Sequence, residues 1–192
     1  MIAATAAQSL GVLDDTGARR YLGVFRANVI DNMDPSNQGR VLVTVPEVTT
    51  TPLGSWANVL TSIGGMQHGL FAPIPIGAKV YVVFEAGNLD YPIVIGCFRS
   101  TPAEVPGKAP PHNPALLSIT LQTRQQNAFV LSDIPGPTGG IQLTTPSQQK
   151  ITMTTLGVEI SNGMGATIKM IGPVIQIDAT QVVINQGALT VM

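Results

Sequence analysis

From Leu117 to the end of the chain one short pattern keeps returning. Leu117, Ile119 and Leu121 alternate with Ser118, Thr120 and Gln122; Ile141 and Leu143 alternate with Gln142 and Thr144; Ile151 and Met153 alternate with Thr152 and Thr154. Val158-Glu159-Ile160, Ile168-Lys169-Met170, Ile175-Gln176-Ile177, Val182-Val183-Ile184 and Leu189-Thr190-Val191 continue it. Alternation of period two marks strands with one apolar face. Gly163, Gly165, Gly172 and Gly187, or Asn162 and Asn185, punctuate the units, as in a β-helix or β-prism. A single-chain β-helix spends roughly 20 residues per turn, so this tail would make few turns and leave its ends open. Strands this short hold little core of their own. If three chains wind together, each supplies one face of a prism, and the inward Ile, Val and Met fill a shared axis. The pattern also allows an antiparallel meander packed on the rest of the chain.

Composition bears on that choice. Apolar residues make up 44% and charged residues 11%, against about 25% charged in ordinary soluble domains. No run approaches the roughly 20 apolar residues that span a bilayer, so the composition implies surface hidden by partners. The start, Met-Ile-Ala-Ala-Thr-Ala-Ala, lacks the basic and apolar segments of a signal peptide, and synthesis in the cytoplasm is expected. Cys97 stands alone, which excludes an intrachain disulfide. A net charge of −1 argues against a nucleic-acid surface, which needs clustered Lys or Arg.

Residues 1–20 have weak patterning and read as an arm. Tyr21 to Phe98 reads as short strands separated by turn residues. At its centre lies Asp31 to Glu47, a polar turn between two β-rich runs. Asp34-Pro35 starts the turn, since proline presets φ near −65°. Gly39 takes the positive φ that returns the chain to a strand, and Arg40 opens Val41 to Val45, which Pro46 ends. Trp56-Ala57 begins a third segment and Gly64 to Gly69 a loop. Val80 to Phe84 is apolar on both faces, and Pro92 to Gly96 closes the set. About five such strands make an OB barrel. The prolines 102, 106, 110, 111 and 114 then forbid ladder pairing and favour a stiff connector. The expected organisation is an arm (1–20), an OB-fold domain (21–100), a proline-rich linker (101–115) and a needle with its entry segment (116–192). The expected fold class is all-β: an OB barrel followed by an intertwined trimeric β-helix, or β-prism.

Tyr21-Leu22-Gly23, Asp31 to Pro35, Gly39 to Pro46, Trp56-Ala57, Pro75-Ile76-Gly77, Val80 to Glu85 with Gly87, and Asp90 to Gly96 stand in an order that carries a resemblance. Together they resemble the OB domain of central spike proteins: phage baseplate assembly protein V, the VgrG proteins of type VI secretion, and the spikes of extracellular contractile injection systems. Thr123-Arg124 with Ala128 to Gly136 resembles the segment joining barrel to needle, and Gly139 onward resembles the trimeric β-helical needle. Gln126-Asn127 stands where that family often has Gly-His. The resemblance implies a homotrimeric structural spike that links a baseplate hub to a tip protein. It implies piercing of a target envelope on sheath contraction, within an assembled phage tail-like or injection particle.

Sites for chemistry are scarce. An apical metal site in such spikes uses His-x-His, which can build an octahedral iron site from three chains; His68 and His112 are far apart and outside the tail, so no metal and no cofactor is expected. Glycoside cleavage needs a pair of carboxylates; Glu104, Asp133 and Glu159 stand apart, and no Gly-x-Ser-x-Gly elbow is present. No enzyme is expected. The rival function is a single-strand nucleic-acid-binding OB protein with a trimerising tail; Arg19, Arg20, Arg26 and Arg40 would serve it, with few aromatic residues to stack on. The hub is expected to meet the arm and the barrel's outer surface, with Val80 to Phe84 as the motive. The blunt end of the needle, Ala188, Leu189, Thr190, Val191 and Met192, is expected to bind a cap of the PAAR type, as the resemblance implies.

Overall fold

The computed structural model describes residues 11–48, 54–111, 113, 115–184 and 189–191. The chain divides into two units, residues 1–100 and 101–192. The first opens with a small hairpin, β1 (Val12–Leu13) against β2 (Arg19–Arg20). Asp14 ties it together: its Oδ1 accepts from the backbone N–H groups of Thr16 and Ala18, and its Oδ2 lies 2.8 Å from Arg20 Nε. Part of the expected arm is therefore structured. Weak periodicity hid it because two-residue strands are too short to show a period, while an Asp-Asp-Thr-Gly turn is built by side-chain hydrogen bonds.

Five strands then close a barrel: β3 (Phe25–Asp31), β4 (Val41–Thr44), β5 (Ser55–Val59), β8 (Lys79–Phe84) and β9 (Pro92–Phe98). Between β5 and β8 lies a minor hairpin, β6 (Gly64–Gly65) with β7 (His68–Gly69). The order round the barrel is β3-β4-β5-β9-β8. All pairings are antiparallel except β5 with β9, which is parallel through Asn58↔Ile93 and Val59↔Val94. Inward positions alternate along β3, β4 and β8, while β5 contributes Ala57 and β9 contributes Pro92 and Val94. Phe25, Ala27, Val29, Val41, Val43, Ala57, Val80, Val82, Phe84 and Val94 form one core, with Phe25 and Tyr21 packed on Phe84 at 5.4 and 6.2 Å between ring centroids. Strand β8 is thus not a bare outer strand. Val80, Val82 and Phe84 face the core, and Tyr81 on the other face stacks on Phe98 at 4.6 Å.

The second unit starts with the proline segment, which holds one turn of 3₁₀ helix (Pro102–Glu104) and an isolated bridge between Asn113 and Leu116. Seven strands follow: β10 (Ser118–Gln122), β11 (Ala128–Ser132), β12 (Gly140–Thr144), β13 (Lys150–Thr154), β14 (Gly157–Ser161), β15 (Thr167–Ile171) and β16 (Val174–Asp178). They form one antiparallel sheet in which each strand pairs with its sequence neighbours. Ala128 to Ser132, which reads from sequence as part of a joining segment, is a full strand of this sheet. A separate hairpin, β17 (Val182–Ile184) with β18 (Leu189–Val191), follows. Within one chain the tail is a meander.

Candidate assembly surfaces

The register of the tail sheet stacks its apolar residues into two unbroken ladders. One runs Ile119–Leu131–Ile141–Met153–Val158–Met170–Ile175, strand by strand. The other runs Leu121–Phe129–Leu143–Ile151–Ile160–Ile168–Ile177. One residue of slip anywhere would send the remaining rungs to the opposite face. The opposite face carries Thr120, Val130, Gln142, Thr152, Glu159, Lys169 and Gln176 in matching register, polar except at the buried Val130. Cross-strand pairs lace it: Lys150 Nζ lies 3.2 Å from Glu159 Oε2, and Lys169 Nζ lies 3.9 Å from Asp178 Oδ2.

Exposure on the two faces is inverted relative to a self-sufficient domain. Ile168 is 41% exposed, and Ile141, Leu143, Ile151, Met153, Ile160, Met170 and Ile177 are exposed likewise. The polar Gln142, Thr144, Thr152 and Lys169 are half-buried. An apolar stripe this long exceeds what a soluble monomer leaves bare. It is a contact surface.

The barrel presents a second surface. Residues 48–78 contain no Asp, Glu, Lys or Arg. Within that stretch Leu60, Ile63, Leu70 and Phe71 are exposed, and Met66 at the tip of the β6–β7 hairpin is 97% exposed. Depletion of charge with enrichment in Met and aromatic residues is the composition of an interface core. Sequence reading passed over this loop because its apolar residues follow neither period two nor period 3.6.

The polar turn beside that loop is built on Asp34, whose side chain is 3% exposed. Oδ1 accepts from Ser36 N–H (3.0 Å) and from Arg40 Nη2 (2.8 Å); Oδ2 accepts from Gln38 N–H (2.8 Å) and Arg40 N–H (3.2 Å). The Arg40 guanidinium, with desolvation opposing it, holds the carboxyl well below its ordinary range. Asn37 N–H donates to Asp34 O at 3.0 Å, so Pro35 sits at the second position of a turn, as the sequence predicts. Gly39 has φ +78°, and a Cβ there would meet Phe71 at 2.7 Å. The turn is a brace for the charge-free loop. Two arginines that a nucleic acid would need are already engaged: Arg40 with Asp34 and over Trp56, and Arg26 over Phe98.

Of the expected tip residues, Leu189, Thr190 and Val191 form β18 and pair with Ile184, Val183 and Val182. Ala188 and Met192 lie outside the described residues. His68 lies in the β6–β7 hairpin, and His112 is outside the described residues. Among the described residues no group of three or more His, Cys, Asp or Glu gathers into a metal site. Glu159 is paired with Lys150.

Residues 25–98 match the type VI secretion system/phage-baseplate injector OB domain. Residues 118–190 match the phage baseplate V C-terminal trimerisation domain. No curated protein matches the chain. The first match coincides with the closed barrel, and the second with the sheet whose apolar face is exposed among the described residues. The chain belongs to the phage baseplate V family of phage-tail and type VI secretion injector proteins.

Proposed function

We propose that the protein is the homotrimeric central spike of a contractile tail or injection apparatus, joining a baseplate hub to a tip protein and driven through a target envelope when the sheath contracts. Its work is mechanical and it is no enzyme. The observation that carries the reading is the pair of exposed apolar ladders inside a trimerisation domain. Three copies that turn these ladders toward one axis bury them and leave the polar, ion-paired faces outside, a β-prism needle with no lateral edge to peel. The experiment is a mass measurement of the purified chain, with trimer as the expected result and stable monomer at micromolar concentration as the result that ends the proposal.

The hub contact is placed on the barrel's charge-free loop, around Met66 and Phe71, rather than on β8, whose alternate residues are in the core. Removing residues 1–20 tests whether the arm shares in it: unchanged hub affinity assigns the contact to the barrel alone. We infer the tip contact at about Ala188 to Met192, a stretch that includes β18 (Leu189–Val191), through strand pairing with a PAAR-type cap. Three copies against one cap imply a three-to-one complex. A chain ending at Gly187 should fail to recover the cap; equal recovery by both forms rejects the site. Synthesis in the cytoplasm followed by incorporation into the particle completes the reading.

A further inference from the structure

The tail sheet repeats in sequence as well as in strands. We propose that it is a counted stack of hairpin units, each 17 residues long, and that the number of units sets how far the tail extends. With the chain taken as a trimeric spike, on which reading this inference rests, that number fixes the reach of the needle.

Gly140, Gly157 and Val174 open β12, β14 and β16 at intervals of 17 residues. Lys150 and Thr167 open the return strands β13 and β15 at the same interval. Side chains of like kind recur with it. Ile141, Val158 and Ile175 fall in one ladder and Leu143, Ile160 and Ile177 in the other. The return strands repeat as Ile151-Thr152-Met153 and Ile168-Lys169-Met170. The loops between them differ in sequence, Thr-Pro-Ser-Gln-Gln against Asn-Gly-Met-Gly-Ala, but not in build. In each the first N–H donates to the fifth carbonyl, Thr145 to Gln149 at 3.0 Å and Asn162 to Ala166 at 3.1 Å. In each the fourth residue has positive φ, +66° at Gln148 and +102° at Gly165. The hairpin β10–β11 is closed in the same way, by Thr123 and Asn127, but the longer connection 133–139 sets it off from the period.

The strand-opening glycines mark where a unit is complete. Gly140 and Gly157 have positive φ, and a Cβ at either would collide with a carbonyl of its own return strand, Met153 O or Met170 O. Val174 stands at the same point of a third unit, where no return strand presses on it: β16 pairs only with β15 among the described residues, and β17 pairs with β18 instead. Glycine occurs where a return strand follows, and valine where the sheet stops. Successive units are also tied together on the polar face. Lys150 with Glu159, and Lys169 with Asp178, each join the return strand of one unit to the opening strand of the next. A whole unit adds two strands, about 10 Å along the stack, and keeps the two faces in phase. One residue fewer turns the side chains that follow to the wrong face. Stability in such an array is a sum over units and their junctions, so units can be added or removed.

The test uses the full chain in four forms: wild type, 157–173 duplicated directly after Pro173, 157–173 deleted, and a control in which only 158–173 is duplicated at the same place. Light scattering reads the mass and small-angle X-ray scattering the longest dimension. Duplication of the whole unit should keep the trimer and lengthen it by about 10 Å, and deletion should keep it and shorten it as much. The control sends Glu159 and Lys169 of the added unit to the apolar face and should lose the trimer. The counted stack is overturned if neither change of unit number keeps the trimer, if the length does not move, or if the control assembles as well as the whole-unit duplication. A wild-type chain that runs as a monomer ends the spike reading instead, so the two failures are distinct.

Discussion

The barrel and the tail solve the problem of a small β structure in opposite ways. The barrel bends five strands until the last meets the first, and its Val, Ala and Phe bury one another. The tail stacks seven strands in sequence order and leaves its Ile, Leu and Met facing outward. The hydrophobic effect drives both, but the first finds its apolar partner within the chain and the second only in other copies. Stability of the barrel is therefore independent of concentration, and that of the tail is not.

The strongest way to break this contrast is a charge in the ladder. Ile168→Asp or Ile177→Asp sets three carboxylates about one axis, each costing several kcal/mol to desolvate. Complete loss of the trimer by light scattering is expected, with the fluorescence of Trp56 in the barrel unchanged. Loss of the barrel signal as well would show that the two regions do not fold separately. Next in size is Val82→Ala in the barrel, where Val82 is fully buried. A cavity there should cost about 2 kcal/mol, read as a lower barrel melting temperature at constant trimer mass.

Acid offers a finer separation. The Asp34 carboxyl is held below its ordinary value of 3.8 in the folded barrel. Its contribution is thus fully present above the unfolded value and is lost as pH falls below about 4, since protonation then favours the unfolded chain. Asp34→Asn should lower the barrel melting temperature at pH 7 and flatten its dependence between pH 5 and 2. An unchanged acid slope would mean that other carboxylates, such as the Asp14 of the small hairpin, carry the effect. The smallest change is expected from Lys150→Met on the tail's polar face. Lys150 and Glu159 are only partly covered, so trimer stability should move by less than about 1 kcal/mol, and by less still in high salt.

Much of this was legible in the sequence where side-chain period dictates the answer. The ladders follow from the alternation of Ile141 to Ile177, and the Asp34 turn from Asp-Pro with a glycine further on. Order round the barrel was less legible, since the parallel pairing of β5 with β9 joins segments far apart in sequence. The charge-free loop was missed because its exposed Met66 and Phe71 belong to no strand. Which connection falls at which edge of the tail sheet could not be read at all: it depends on the parity of strands, not on any one motif.

That same β5–β9 pairing has a consequence for the order in which a nascent chain takes shape. Closing the barrel waits on a distant contact, between residues 58–59 and 93–94, and such contacts form slowly. The tail's pairings are all between sequence neighbours and form fast, but leave a sticky surface bare. Synthesis runs from the slow unit to the fast one, so the barrel is free of the ribosome while the tail is still being made. The segment more prone to aggregate is thereby made after the barrel, and it spends less time in the cell without its two companions.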